Sequence, residues 1–400
     1  MAKERIGILE SAFDPIHQGH ISMAQAAMEH FRLSHMLFIP VGTDAYKTCI
    51  ASGEDRWKMV VSACTQDIRL IPSRAALDLS GPTYTVDILL LLKKEHPKAE
   101  FFYLLGADGV MKLHKWHRLP EVFPLCTFLV YPRAGEYSPR EFNTEKKRLT
   151  EMGAKIRMIP VNPFTISSTE IRSQLSQGQP TPFLYSPVRE FCTLRGLYGA
   201  DPHLDPETTK VWLDKLFSAL NPRRFTHSVS VAGTARRLAR IHSIDPDQSE
   251  QGGLLHDCAK CLPMKQMQRI AREHSLTDDP DILSSNGLLH SLVGAWVARN
   301  TYGMADPEVL DAISFHNTGR PGMSRLSMCV CLSDYMEPTR DSYPLMENVR
   351  ILSELSLERA LLMSLEGTAS YVRSKGKYLH PRTQETIDWL KTLPGVRSSR

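Results

Sequence analysis

The sequence predicts two domains of different fold class, an α/β domain with a doubly wound parallel sheet followed by an all-α domain. Apolar runs of strand length alternate with helical stretches through the first half, which is typical of a parallel sheet with helices on both faces. After residue 206 strand-like runs become rare and amphipathic helical periods replace them. Short-chain turn formers at residues 199–206 predict the linker between the two domains.

The apolar runs of the first half are predicted to be the strands of one sheet. In sheets of this kind, ligands bind beyond the carboxyl ends of the strands. We therefore expect polar residues that follow these runs to converge at one edge. The predicted strands are residues 6–9, 36–40, 68–71, 100–105, 127–131 and 156–159.

The segment 6–20 predicts a buried strand, a turn and the start of a helix, with His17 and His20 one helical turn apart at that start. Free backbone N–H groups and the positive end of the helix dipole attract an anion there, and two imidazoles add donors. A single histidine in such a place is more often an ordinary surface or core residue. The pair favours a phosphate site, because Asp14-Pro15 sets a turn and Gly19 permits close approach.

The string FDPIHQGH at 13–20 resembles the signature of nucleotidyltransferases that transfer an adenylyl or cytidylyl group to a phosphate. TYT at 83–85, GAD at 106–108, Trp116 and ISSTEIR at 166–172 are similar, in order and spacing, to bacterial nicotinate-nucleotide adenylyltransferase. The resemblance covers roughly the first half of the chain. It implies a Rossmann-like domain over 1–200 that transfers an adenylyl group from ATP to nicotinate mononucleotide, with Mg²⁺, giving deamido-NAD and pyrophosphate for NAD biosynthesis.

The resemblance also implies roles for individual residues. His17 and His20 would contact the ATP phosphates, with His20 nearest the transferring phosphorus, and Lys47 and Arg172 would neutralise the triphosphate. Thr85, Trp116 and the backbone near Gly106 would face nicotinate mononucleotide, whose flat ring suits an aromatic face. The full predicted set for ATP or substrate binding is Phe13, Ser11, Thr85, Gly106, Asp108, Trp116, Ser167, Ser168 and Thr169.

The chain departs from the family pattern at two places. Glu10-Ser11 stands where the family commonly has two glycines, and Ala45-Tyr46 stands where Pro-His often precedes the lysine. A carboxylate close to a triphosphate repels it unless the side chain turns away or Mg²⁺ bridges the two. We expect an altered but active site, because the charged groups that the chemistry uses are still present. The alternatives are a transferase for another phosphate acceptor and a nucleotide sensor that regulates the second domain.

The second half contains an unusual concentration of imidazole and carboxylate, in or just beyond successive predicted helices. Six such groups without thiolate suit two iron, manganese or similar divalent ions that share one carboxylate. One histidine is more often part of a solvated helix face. The His256-Asp257 doublet follows an apolar segment that is expected to be buried. Burying both polar side chains without a partner is costly, so the doublet favours a metal site over a solvated helix face. The predicted helices are residues 210–220, 223–241, 264–274, 288–302, 309–315, 326–336 and 355–375.

This pattern resembles the HD-domain metal-dependent phosphohydrolases. LHDCAK at 255–260, HNTG at 316–319 and DYMEPTR at 334–340 are similar to the YqeK group, which implies symmetrical hydrolysis of diadenosine tetraphosphate to two ADP by a domain over 205–390. A general nucleotidase or a phosphodiesterase stays open as the alternative. The implied di-metal centre, of iron by this resemblance, is held by His227, His256, Asp257, His290, His316 and Asp334. The candidates for polyphosphate binding are Lys260, Arg320 and Arg340.

Composition limits the other partners. The formal charge of +4 over 400 residues is small and scattered, which does not indicate a nucleic-acid partner. Residues 1–5 run into a strand without an apolar signal core, and apolar stretches are too short for a membrane span, so we expect a cytoplasmic protein without a membrane partner. Eight cysteines are too few for a disulfide scaffold, and Cys258 and Cys261 have no second pair at metal spacing. A homo-oligomer is left open.

Overall fold

A computed structural model describes residues 3–42, 49–79, 81–132, 138–161 and 166–396. Lys47, one of the predicted triphosphate ligands, lies outside the described residues. The chain divides into two compact units, Met1–Asp201 and Pro202–Arg400. Within the described residues, no helix is both long and apolar enough to cross a membrane.

The first unit is built on a parallel sheet, as the alternating pattern predicts. In its described residues six strands pair in the order β3-β2-β1-β4-β5-β6, so the strand order reverses between β1 and β4. Such a reversal opens a crevice at the carboxyl ends of the strands. The strands are β1 Arg5–Ser11, β2 His35–Pro40, β3 Leu70–Pro72, β4 Glu100–Gly106, β5 Cys126–Tyr131 and β6 Ile156–Met158.

The predicted third strand begins two residues too early. Ile68 is 84% exposed and precedes β3, because the Asp67 carboxylate accepts a hydrogen bond from the Arg69 N–H at 2.9 Å and holds a turn there. Helices of the described part of this unit cover both faces of the sheet and bury its apolar side chains. They are α1 Gln18–Phe31, α2 Gly53–Cys64, α3 Thr85–Glu95, α4 Ala107–Lys112, α5 Leu119–Val122, α6 Pro139–Glu151, α7 Ser168–Ser176 and α8 Ser186–Leu194.

The second unit is helical throughout its described residues. The helix predicted over 355–375 is present but begins two residues later than predicted, because the Ser356 hydroxyl accepts a hydrogen bond from the Arg359 N–H and caps its start. The helices are α9 Pro206–Ala219, α10 Pro222–Ile241, α11 Pro246–Leu255, α12 Met264–Glu273, α13 Pro280–Ser284, α14 Asn286–Tyr302, α15 Pro307–Phe315, α16 Arg325–Met336, α17 Pro344–Leu355, α18 Leu357–Ser374 and α19 Pro381–Leu390.

A glycine sets the close packing of α10 against α11. A Cβ at Gly253 would lie 3.0 Å from the Cα of Ala232 and 3.0 Å from the carbonyl oxygen of Val231, both of which are backbone atoms of α10. The absence of a side chain at this position therefore allows the two helices to approach. This approach brings His256, just after α11, to 5.1 Å from His227 of α10 between ring centroids.

Candidate active sites

The crevice of the first unit is a cavity of about 670 Å³. It lies at the carboxyl ends of β1 and β4 and at the N-termini of α1 and α7, as the strand reversal predicts. The structure thus brings together most of the residues that the sequence predicted for ATP and substrate. Predicted residues that line it are Ser11, Phe13, His17, His20, Gly106, Asp108, Trp116, Ser167, Ser168, Thr169 and Arg172.

His17 and His20 cap the start of α1 reciprocally. His17 Nδ1 accepts a hydrogen bond from the Gly19 N–H at 3.1 Å, and His20 Nδ1 accepts one from the His17 N–H at 3.2 Å. Because each Nδ1 is an acceptor, the proton of each neutral ring lies on Nε2. The rings lie 3.8 Å apart between centroids and both line the cavity. Two N–H donors and the helix N-terminus are suited to holding phosphate oxygens.

Helix α7 is tied to the turn after β1. Arg172 Nη1 donates to the backbone oxygen of Asp14 at 2.8 Å, and the Ser168 hydroxyl donates to the backbone oxygen of Pro15 at 3.0 Å. The Ser167 hydroxyl accepts a hydrogen bond from the Glu170 N–H at 3.2 Å and caps α7. The N-termini of α1 and α7 therefore open on one cavity.

Asp14 is a structural residue of this site that the sequence analysis did not single out. Its buried carboxylate accepts hydrogen bonds from the backbone N–H groups of Ile50 (2.8 Å) and Ala51 (3.1 Å) and from the Tyr198 hydroxyl (2.7 Å). Asp14 thereby connects the turn after β1 with two distant segments. Its position in an Asp-Pro turn was the available signal.

Glu10 turns toward β4 and α3. Its Oε2 accepts hydrogen bonds from the Tyr103 hydroxyl at 2.8 Å and from the Thr85 hydroxyl at 3.2 Å. Burial and the Glu10 carboxylate raise the pKa of Tyr103 well above its usual value, so the phenol keeps its proton and donates. Glu10 and Tyr103 line the cavity, and Thr85 is connected to the cavity through Glu10. Tyr103 was not predicted, because it lies inside an apolar strand.

The second unit brings all six predicted metal ligands together. His227 Nε2 lies 2.9 Å from Asp334 Oδ1, and His290 Nε2 lies 3.1 Å from Asp257 Oδ1. His256 Nε2 lies 3.6 Å from Asp334 Oδ1 and 3.7 Å from Asp257 Oδ2. Three overlapping groups can each hold an ion: His227 with His256 and Asp257, His256 with His316 and Asp334, and Asp257 with His290 and His316.

Hydrogen bonds orient every imidazole of this cluster with Nε2 inward. The Nδ1–H groups of His256, His290 and His316 donate to the carbonyl oxygens of Gly253, Asn286 and Ile313 at 2.7, 3.0 and 2.8 Å. Each Nε2 therefore carries a lone pair. The Nε2 atoms of His290 and His316 lie 3.1 Å apart. Lys260 Nζ lies 2.9 Å from His290 Nε2, whereas His256 Nε2 and Asp257 Oδ1 are buried without a hydrogen-bond partner among the described residues. A divalent cation would satisfy such buried imidazole and carboxylate atoms, so the residues fit a metal centre.

The electrostatics of the cluster suit metal ligation. Burial lowers the pKa of His256, and it lowers the pKa of His290 and of His316 to about 4, so these rings are neutral at pH 7. Burial opposes ionisation of Asp257 and Asp334, but the cations and imidazoles around them hold the pKa of each carboxyl below its usual value.

His227 differs from the other three rings. Burial alone would lower its pKa, but hydrogen bonds to Asp334 and Glu337 raise it to about 9. Its Nδ1 lies 3.0 Å from Oε1 of Glu337, a fully buried residue that the sequence analysis did not assign to the site. A metal that binds at Nε2 would displace a proton from this ring.

Three cationic side chains form ion pairs with the carboxylates of the cluster. Lys260 Nζ lies 3.6 Å from Asp257 Oδ1, Arg340 Nη2 lies 2.5 Å from Asp334 Oδ1, and Arg224 Nη1 lies 2.9 Å from Asp257 Oδ2. Arg224 was not predicted. Arg320 pairs instead with Asp311 at 3.0 Å and lies over the ring of Phe315, so these contacts do not bring it to the cluster.

Comparisons with known proteins agree with this division. A family model described as cytidylyltransferase-like matches residues 8–174, and an HD domain model matches residues 224–339, which contain the six residues of the cluster. A probable nicotinate-nucleotide adenylyltransferase of Clavibacter michiganensis subsp. michiganensis is 34% identical over 183 residues, which are 45% of this chain and 86% of the relative. A probable nicotinate-nucleotide adenylyltransferase/Ap4A hydrolase of Mycoplasma genitalium is 27% identical over 379 residues, which are 93% of this chain and 99% of the relative.

Among solved structures, a predicted HD superfamily hydrolase involved in NAD metabolism from Clostridium acetobutylicum is 36% identical, with a TM-score of 0.44. The match covers 45% of this chain and 95% of that one. The parallel sheet has a Rossmann-like nucleotidyltransferase fold, and it is followed by a helical HD domain that implies a divalent metal. The chain belongs to the nicotinate-nucleotide adenylyltransferase family.

Proposed function

We propose that this chain joins two enzymes of nucleotide metabolism in the cytoplasm. Residues 1–200 transfer an adenylyl group from ATP to nicotinate mononucleotide and release pyrophosphate and deamido-NAD. Residues 205–390 hydrolyse diadenosine tetraphosphate symmetrically to two ADP. The paired His17 and His20 donors at the strand reversal support the first activity. The convergence of four inward-facing imidazoles on two carboxylates supports the second.

Adenylyl transfer depends on positioning and charge relief rather than on a protein base. The attacking phosphate of a mononucleotide is largely dianionic at pH 7, because its second pKa is about 6. The Nε2–H groups of His17 and His20 and the N-termini of α1 and α7 hold phosphate oxygens as charge develops on them. Arg172 contributes positive charge beside the turn after β1. Mg²⁺, where bound, would supply further positive charge against the phosphates.

In the second unit the protein holds the metals and the polyphosphate. A bound divalent metal, which we propose is iron, would supply a hydroxide near neutral pH and would polarise the phosphoryl oxygens. The Nε2 atoms of His227, His256, His290 and His316 and the carboxylates of Asp257 and Asp334 would hold it. Lys260 and Arg340, with Arg224, are close enough to contact the phosphates of the substrate.

Pyrophosphate release tests the first activity. The full chain with ATP and Mg²⁺ is expected to release pyrophosphate only when nicotinate mononucleotide is present. We expect His20→Ala to lower the rate about a hundredfold, because it removes a donor to developing charge. His30→Ala, an exposed histidine at the other end of α1, is the matched control and should leave the rate unchanged. ATP binding without acceptor-dependent release would contradict the proposal and favour a sensor.

Product analysis tests the second activity. Diadenosine tetraphosphate is expected to give ADP as the sole nucleotide, and His256→Ala is expected to abolish its formation. His274→Ala, in which the exposed ring that stacks on Trp296 is removed, serves as the control and should hydrolyse normally. ATP plus AMP as products, or equal activity toward mononucleotides, would contradict the assignment. Metal analysis of the purified active protein distinguishes iron from manganese.

A further inference from the structure

Glu10 lies in the part of the first cavity where the acceptor ring is expected. The predicted ring contact Trp116 packs against Tyr103 edge to face, at 5.3 Å between centroids, and Tyr103 donates to Glu10. The other predicted acceptor contact, Thr85, also donates to Glu10. Glu10, Tyr103 and Trp116 line the same cavity as His17 and His20. A carboxylate therefore stands among the groups that would recognise the substituent on the pyridine ring.

The sheet register explains why Glu10 reaches this place. Ile8 of β1 is paired with Tyr103 of β4, so these two side chains point to the same face of the sheet. Glu10 follows Ile8 by two residues and shares that face. Its carboxylate is consequently directed over β4 and toward the start of α3.

Two hydroxyl donors on this side of the cavity already donate to Glu10. A threonine or tyrosine hydroxyl has one proton to donate, and the hydroxyls of Thr85 and Tyr103 both direct theirs to Glu10 Oε2. An incoming carboxylate on the ring needs such donors, because an ionised carboxylate only accepts hydrogen bonds. A carboxamide carries two N–H donors and finds an acceptor in Glu10.

We propose that Glu10 is a specificity-determining residue that disfavours a carboxylate on the acceptor ring and favours a carboxamide, so that this domain uses nicotinamide mononucleotide beside nicotinate mononucleotide. The inference rests on the proposed adenylyltransferase function. The reaction is otherwise the same: the acceptor phosphate attacks the α-phosphorus of ATP, and pyrophosphate leaves. With the amide acceptor the product is NAD rather than deamido-NAD.

Initial rates with each acceptor test this inference. The quantity compared is kcat/KM for the amide divided by kcat/KM for the acid, at saturating ATP and Mg²⁺, in the wild type and in Glu10→Gln and Glu10→Gly. We expect the wild type to use both acceptors. The ratio should fall about tenfold or more in both variants. Glu10→Gln removes the negative charge and adds N–H donors for the acid, whereas Glu10→Gly removes the acceptor and frees the two hydroxyl donors. Glu100→Gln, an exposed carboxylate of β4 that pairs with Lys3, is the matched control and should leave the ratio unchanged.

Undetectable turnover of the amide by the wild type, or a smaller fall in the ratio, would overturn the inference. A competition assay on the unaltered protein does not depend on whether the variants fold. With both mononucleotides at equal concentration, chromatography should detect NAD and deamido-NAD together, and deamido-NAD alone would overturn the inference. Failure of the proposed function looks different, because neither acceptor would then stimulate pyrophosphate release.

Discussion

His227 is anchored through Nδ1 to the buried carboxylate of Glu337, 3.0 Å away, while its Nε2 faces Asp334 at 2.9 Å. Glu337 is in turn held by the backbone N–H and the hydroxyl of Thr339, at 2.7 and 2.6 Å. The end of α16 therefore supplies one candidate metal ligand, Asp334, and the group that orients a second candidate, His227 on α10. A carboxylate behind a ligating imidazole fixes the ring and raises its basicity.

The first prediction concerns Glu337. Glu337→Gln keeps the shape of the side chain but removes the charge that supports His227, so we expect the affinity for metal to fall about 10–100-fold. Titration of Mn²⁺ into the metal-free protein, followed by the rate of diadenosine tetraphosphate hydrolysis, measures the half-saturating concentration. Glu354→Gln, an exposed residue paired with Arg237, is the control. An unchanged half-saturating concentration in Glu337→Gln would show that the hydrogen bond has no part in metal binding.

A second prediction separates two arginines that the sequence placed in one group. Arg340 contacts the Asp334 carboxylate of the cluster, whereas Arg320 pairs with Asp311. At saturating metal, Arg340→Ala should raise the KM for diadenosine tetraphosphate about tenfold, because a charge-assisted contact to phosphate is lost. Arg320→Ala should change the KM by less than about twofold, since its ion pair is partly exposed. An equal rise in both variants would restore Arg320 to the polyphosphate site.

The sequence predicted the six residues that the structure brings together in the second site, but not the residues that orient them. His227, His256 and Asp334 are recognisable because imidazole and carboxylate are unusual within apolar helical segments. Glu337 is one acidic residue after a helix, and only the packing of α16 against α10 makes it a partner of His227. The same limit applies to Tyr103, whose hydroxyl meets Glu10 through the pairing of two strands distant in sequence.

The strands and helices were predictable where the hydrophobic pattern was long and where capping or turn residues marked its ends. Strands β1 and β4 were found because their apolar runs are continuous. In the second unit helices α11, α13, α17 and α19 were not predicted, although a proline in the first turn signals the start of each. An aspartate also caps α11 and α13, in Asp245-Pro246 and Asp279-Pro280.

A third prediction separates the two roles of His17. Its Nδ1 caps α1, and the residue also lines the cavity where we propose that phosphate binds. Asparagine also caps helices, so His17→Asn should keep the melting temperature close to that of the wild type, whereas His17→Ala should cost about 1 kcal/mol of the free energy of unfolding. Both variants should lower kcat of adenylyl transfer about a hundredfold. Calorimetry and pyrophosphate release measure the two effects, and full activity in His17→Asn would show that capping is the sole role.

The last prediction concerns Asp14, whose buried carboxylate joins the turn after β1 to residues 50–51 and to Tyr198. Asp14→Ala leaves two backbone N–H groups and a hydroxyl without their acceptor, which should cost about 1–3 kcal/mol of the free energy of unfolding. For a unit of this size each kcal/mol lowers the melting temperature by about 2–4 °C.

Tyr198→Phe removes one of the three hydrogen bonds to Asp14 and should therefore have a smaller effect. Asp78→Asn, an exposed carboxylate that pairs with Arg74, should unfold like the wild type. If Asp14→Ala also unfolded like the wild type, the turn after β1 would be held by the contacts of α7 alone, through Arg172 and Ser168.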